Sequence, residues 1–82
     1  MNPEICVWLY AVIPNKNGYV ESVQICGKFN DYPTNVIQFA YRNGKLKKIS
    51  SGYYSDCPTP LYMAMLKCAR EIFKEYKGKK IS

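Results

Sequence analysis

The stretch that decides the fold is VIQFAYRNGKLKK, residues 36–48, near the middle of the chain. Large apolar side chains occupy every second position before the turn, a pattern typical of a half-buried β-strand. Asn43-Gly44 follows, and this dipeptide readily supplies the two positive φ angles of a type I′ turn. The stretch therefore predicts a β-hairpin with a tight two-residue connection.

Two further strands are predicted upstream, at residues 4–14 and 19–29, joined by a turn at Asn17-Gly18. The first is apolar on both sides, which is typical of a strand covered on both faces. Gly27 is expected to mark a bulge near the end of the second. After the hairpin turn, residues 45–54 alternate less regularly, which predicts a bulge or an edge position for the fourth strand.

An amphipathic helix is predicted at the end of the chain. Thr59 is expected as the N-cap and Pro60 as the first helical residue, and Gly78 ends the helix. Apolar residues between them recur at three- and four-residue steps. We therefore predict one α+β domain over residues 1–82, a four-stranded antiparallel β-meander followed by one C-terminal α-helix packed on one sheet face (ββββα), with 79–82 as a short basic tail.

One helix cannot cover both faces of four strands, yet the first strand is apolar on both sides. The simplest cover for the second face is another copy of the chain. We therefore expect a homodimer joined through the open sheet face, with Trp8 and Tyr10 in the interface.

The chain has 82 residues, a net charge of +6 and no histidine. The missing imidazole excludes Ser-His-Asp and Cys-His nucleophiles, His-ligated metals and the usual general base near neutral pH. The six carboxylates show no pairing suited to acid–base or metal chemistry. The sequence therefore predicts a binding protein that is not an enzyme, with no cofactor, no metal and no small-molecule substrate.

The positive charge is concentrated in the second half of the chain. Residues 1–41 carry a net charge of −1, whereas residues 42–82 carry +7. Such asymmetry points to a nucleic acid or an acidic protein surface as partner, although scattered solubilising lysines explain it as well. The predicted nucleic-acid-binding residues are the hairpin cations, the tyrosines beside them and two helix-end lysines: Arg42, Lys45, Lys47, Lys48, Tyr41, Tyr53, Tyr54, Lys74 and Lys77.

A protein-binding inhibitor or adaptor is the alternative, acting through an exposed aromatic sheet face or its basic surface. Small, motif-poor domains rich in Lys and Tyr are common among viral and mobile-element accessory proteins, so a host-factor or defence-system antagonist fits the composition. The first segment lacks a basic leader and a cleavage site, and no run is long enough to cross a membrane. We expect a complete, soluble, cytoplasmic protein (in the host cytoplasm if viral).

The four cysteines contain no Cys-x-x-Cys pair, which argues against a structural zinc site. Free buried thiols and one or more disulfides are both compatible with the sequence. If a disulfide forms, Cys6 with Cys26 is the expected pair, because a hairpin would bring these two residues close together.

Overall fold

A computed structural model of the chain describes residues 4–52 and 57–81. It confirms the predicted α+β architecture: four antiparallel strands lie in chain order in one open sheet, and one helix packs on the sheet. The elements are β1 (Ile5–Pro14), β2 (Val20–Phe29), β3 (Asn35–Arg42), β4 (Lys45–Gly52) and α1 (Thr59–Tyr76).

The turn between β3 and β4 has the geometry that the sequence predicts. Asn43 and Gly44 have φ angles of 56° and 80°, the pair of positive values that a type I′ turn requires. The first turn is wider. The Asn15 side-chain oxygen accepts hydrogen bonds from the backbone N–H groups of Asn17, at 2.8 Å, and Tyr19, at 3.1 Å. Gly18 alone in this loop has a positive φ.

The core lies between α1 and one face of the two central strands. Val23 and Ile25 on β2 lie opposite Phe39 and Ile37 on β3, and all four are almost completely buried. The helix contributes buried residues at four-residue steps, namely Leu61, Met65 and Ala69. This spacing places them on one helix face, so the predicted apolar stripe is the packing surface.

Gly27 does not mark a bulge, because its register with both neighbouring strands is regular. Its role is to let the helix approach. A Cβ atom at this position would lie 2.6 Å from the Met65 sulfur and 2.9 Å from the Leu61 Cδ1 atom. The missing side chain therefore sets how closely α1 can pack against β2.

Irregularities occur instead in both edge strands and at the start of β2, where Glu21 has no partner on β1. The register of β1 shifts between Leu9 and Ala11, so Tyr10 has no partner on β2. The register of β4 shifts opposite Gln38 and Phe39, which leaves Ile49 unpaired and confirms the predicted irregularity of that strand.

The helix begins one residue earlier than predicted. Pro58 is the N-cap and forms no side-chain cap hydrogen bond, while Thr59 is already helical. Proline is well suited to this boundary because its fixed φ, here −56°, matches the helix entry. At the other end, Gly78 has a φ of 72° and follows the last turn, as expected of a terminating glycine.

Replacing Gly27 by alanine is expected to destabilise the fold by about 1–3 kcal/mol, because the new methyl group overlaps Met65 and Leu61. Urea unfolding measures the change. In a Met65→Ala background the same substitution should cost less, since two of the three clashing atoms are gone. An equal cost in both backgrounds would contradict the close helix approach described above.

Candidate nucleic-acid interface

Three chain segments meet at one end of the sheet. The β1–β2 turn precedes β2, whose first residues lie near the last residues of β3 because the two strands are antiparallel. The helix C-terminus reaches the same end, since Tyr41 packs against Phe73 with ring centroids 5.0 Å apart. The backbone N–H of Ile81 donates a 2.7 Å hydrogen bond to the Gly18 carbonyl. The residues after the helix are therefore tied to the first turn.

A groove of about 570 Å³ lies among these segments. We call it the aromatic groove, and its lining residues are Tyr19, Val20, Tyr41, Phe73, Lys74, Tyr76, Lys77 and Gly78. Four of the eight are aromatic and two are lysines. The interplanar angle of 85° between Tyr41 and Phe73 is an edge-to-face arrangement, which holds the two rings at a right angle to each other.

The electrostatic environment of the groove is positive. Lys74 and Lys77 line it, and Lys79 and Lys80 follow directly in the chain segment that Ile81 ties to the first turn. Glu75 lies on the same helix but does not line the groove. Cations gathered around a concavity in this way attract anionic ligands.

Two of the three carboxylates of the first half, Glu4 and Asp31, lie at the opposite end of the sheet, whereas Glu21 directly follows the groove residue Val20 on β2. The Glu4 N–H donates to the Asn30 side-chain oxygen at 2.8 Å, and Asp31 follows Asn30 in the β2–β3 loop. The charge asymmetry along the sequence thus becomes an asymmetry along the long dimension of the sheet.

The sheet divides the predicted nucleic-acid-binding residues between its two faces. Tyr41, Lys74 and Lys77 come together in the aromatic groove. Arg42, Lys45 and Lys47 alternate onto the opposite face at the hairpin tip, as their register with β3 requires. All three of these cations are exposed.

Lys48 differs from the other hairpin cations because it lies opposite Phe39, on the helix side of the sheet. Tyr53 and Tyr54 lie outside the described residues.

Three aromatic groove residues, Tyr19, Phe73 and Tyr76, are not among the predicted binding residues; the two helix residues belong to the apolar repeat that predicted α1. The pattern carries a weak signal for both helix residues, because they lie beside each other in the last helical turns, next to Lys74 and Lys77. Tyr19 directly follows the Asn15-capped turn, and its side chain is 40% exposed.

The residues predicted for a dimer interface are accessible. Trp8 lies opposite Cys26 on the sheet face away from the helix and is 44% exposed. Tyr10, the unpaired residue of the β1 irregularity, is 66% exposed. The open sheet face and the outer edge of β1 thus present large aromatic groups to solvent.

All four cysteines are free thiols, so the Cys6–Cys26 pair, named for the case in which a disulfide forms, is not linked. The register explains why: Cys6 lies opposite Lys28, two residues beyond Cys26. Diagonal positions of this kind lie about 7–8 Å apart, and their Cβ atoms, although somewhat closer, do not approach to the ~4 Å that a disulfide needs.

Burial raises the pKa of the three less accessible thiols. Desolvation is the main cause for Cys26, Cys57 and Cys68. Glu71 further raises the pKa of Cys68, whereas Lys48 partly offsets the rise in the pKa of Cys57. A thiol with a raised pKa holds less thiolate at neutral pH, so none of these three is an activated nucleophile.

Within residues 4–52 and 57–81, no three Cys, Asp or Glu side chains come together in a group that would hold a metal ion. No helix in this part of the chain is long and apolar enough to cross a membrane. No family model, curated protein or solved structure matches the chain.

Thiol alkylation should follow exposure and pKa. Cys6 is exposed and should react first with iodoacetamide at pH 7.5, whereas Cys26, which is 4% exposed, should react slowly. Raising the pH should increase the alkylation rates of Cys57 and Cys68, because each pH unit below a thiol pKa lowers the thiolate fraction about tenfold. Peptide mass spectrometry measures the four rates, and fast labelling of Cys26 in the folded protein would contradict the described burial.

Proposed function

We propose that the protein is a non-enzymatic binder of single-stranded nucleic acid, DNA or RNA, and that it holds the strand in the aromatic groove. The observation that carries this proposal is the joining of four aromatic rings and two lysines in one concavity at the basic end of the sheet. The hairpin cations alone, or the helix-end lysines alone, would support this proposal less well than the combination of rings and lysines in the groove.

The residue types suit an unpaired strand. Every nucleobase has a π face that stacks on Tyr or Phe, while lysines neutralise the neighbouring phosphates. Bases of a duplex are already stacked on one another and are not free to enter a groove between side chains. A volume of about 570 Å³ falls within the usual size of ligand sites and accommodates flat groups rather than a double helix.

The hairpin tip extends this interface to the other face of the sheet. Arg42 follows the groove residue Tyr41, and its guanidinium donates to the Tyr41 carbonyl at 3.0 Å, which keeps it near the groove end of β3. Lys45 lies directly opposite Arg42. These cations are placed to contact phosphates of a strand that leaves the groove around the tip.

The alternative is a protein-binding inhibitor or adaptor, and the observation favouring it is the exposure of Trp8 on the open sheet face. Exposed aromatic residues are frequent anchors of protein interfaces. Either activity would suit a viral or mobile-element accessory protein acting in the cytoplasm.

The two proposals differ in a capture experiment. Binding of one stoichiometric protein from a lysate treated with nuclease, together with no affinity for oligonucleotides, would favour the inhibitor or adaptor over the nucleic-acid binder.

Neutralising the groove lysines should weaken binding and its salt dependence. For Lys74→Gln/Lys77→Gln, the slope of log affinity against log salt should fall by about 1.4 for a single strand, since each phosphate contact contributes about 0.7. Fluorescence anisotropy with a labelled oligonucleotide at several salt concentrations measures this. Lys28→Gln/Lys67→Gln is the matched control, because it removes the same charge from exposed positions outside the groove. Equal slopes for the two double variants would refute the groove assignment.

Removing one exposed ring should reduce affinity through lost stacking. Tyr19→Ala is expected to weaken binding of a single strand about tenfold, at the low end of the ~1–3 kcal/mol that one stacked base contributes. Tyr32→Ala is the control, since Tyr32 is 47% exposed and lies in the β2–β3 loop at the other end of the sheet. The Tyr19 effect should vanish on an abasic strand, which offers phosphates without bases. Its persistence there would mean that the ring does not stack on a base.

A further inference from the structure

The two edges of the sheet are protected very differently. The β4 edge carries Lys45, Lys47 and Lys48 and is interrupted at Ile49. Charged side chains and irregular register are the usual means by which a sheet edge avoids pairing with another strand. This edge is therefore closed to further strand addition.

The β1 edge lacks charged side chains entirely. Between Glu4 and Lys16 the sequence contains no acidic or basic residue. In the described part of the chain β1 pairs with β2 alone, so the backbone N–H and C=O groups that point away from β2 form an unpaired row. Trp8 and Tyr10 are exposed along this strand. Such an edge is suited to an extended partner that completes the hydrogen-bond ladder.

The regular part of this edge is short and has a defined centre. Ile5 through Leu9 pair with β2 in continuous register, and the irregularity at Tyr10 then breaks the strand. The middle residue is Val7. An antiparallel partner that uses the same five residues would therefore place Val7 opposite its own copy, and Cys6 opposite Trp8.

We propose that two copies of the chain associate through antiparallel pairing of Ile5–Leu9, with Val7 at the twofold axis, to form a continuous eight-stranded sheet. This assigns the interface to the β1 edge, not to the open sheet face expected from the sequence. The inference rests on the edge alone and does not depend on nucleic-acid binding.

Charge argues for a second copy and for the antiparallel direction. The Ile5–Leu9 segments carry no charged side chain, so two copies of the segment can pair without electrostatic repulsion. The Pro14 end of β1 leads into the turn beside the aromatic groove, whereas the Ile5 end lies near Glu4 and Asn30. Antiparallel pairing sends the two basic ends in opposite directions, while parallel pairing would bring two chains of net charge +6 together at their basic ends.

The first experiment measures the oligomeric state by light scattering. The protein is treated with nuclease and kept in high salt, so that carried-over nucleic acid cannot join two copies. The wild type should be dimeric at millimolar concentration. Trp8→Lys should be monomeric, because it places a cation in the pairing segment. Ser50→Lys should stay dimeric: Ser50 lies opposite Gln38 on the open face, so this charge disrupts a face-to-face dimer but not an edge-paired one.

Disulfide trapping tests the geometry. In a Cys6→Ser background, Val7→Cys should form an intermolecular disulfide on mild oxidation, since directly opposed antiparallel residues have Cα atoms about 4.5–5.5 Å apart, within disulfide range. Val7 packs against the core on the helix side, so it cannot meet its copy across the open face. Lys47→Cys in the same background is the control and should not cross-link.

Dimeric wild type, monomeric Trp8→Lys and a Val7→Cys cross-link together support the proposal. Monomeric wild type at millimolar concentration would overturn it. So would a dimer that Ser50→Lys breaks, one that Trp8→Lys leaves intact, or one that yields no Val7→Cys disulfide. A fully folded circular dichroism spectrum for each variant ensures that loss of the dimer is not loss of the fold. None of these outcomes bears on affinity for oligonucleotides, so the two proposals fail separately.

Discussion

The contact between the bare backbone of Gly27 and the side chains of Leu61 and Met65 fixes where the helix lies, and the rest of the structure depends on this placement. With α1 close against β2, the buried side chains of the two central strands are covered on one face. A single helix packed on one face cannot also cover the other face of the sheet or its edges. The open surface with Trp8, the free β1 edge and the groove at the helix end all follow from this constraint.

The aromatic groove exists because the helix ends where the sheet ends. At the last turns of α1 the small buried residue Ala69 is followed by Phe73, which packs both on the core and on Tyr41, and by Tyr76, which lines the groove. Gly78 then turns the chain so that Ile81 reaches the Gly18 carbonyl. A local helix-termination signal thereby brings lysines and aromatic rings together in space.

The elements of the fold were predictable because each has a local cause. Asn43-Gly44 encodes its own turn, and the three- and four-residue spacing of apolar side chains encodes α1. Gly27 was misassigned because a glycine in a strand is compatible with a bulge or a close approach, and only the position of α1 decides between them. Of the two cysteine states that the sequence left open, the structure has free thiols, since the β1–β2 register places Cys6 opposite Lys28 and not opposite Cys26.

The candidate site was only half predictable. The distribution of charge identified the basic half of the chain. Because Tyr41 and Arg42 are adjacent in sequence, they were expected to act on one surface. In a strand, however, adjacent side chains lie on opposite faces of the sheet. The joining of Tyr41 with Phe73 and Lys74 is a contact between residues more than thirty positions apart. No local pattern reports such a contact, because it depends on how far α1 extends along the sheet.

The two surfaces that suggest function are physically separate, and this separation has a consequence for how the protein works. The aromatic groove lies on the helix side at the basic end, while Trp8 lies on the opposite face of an edge strand. Buried core residues, among them Val23, Ile25, Ile37 and Phe39, lie between the two surfaces. The two proposed activities therefore need not compete, because the antiparallel dimer that we propose places the two grooves at opposite ends of the joined sheet, where each copy would bind a strand through its own basic end.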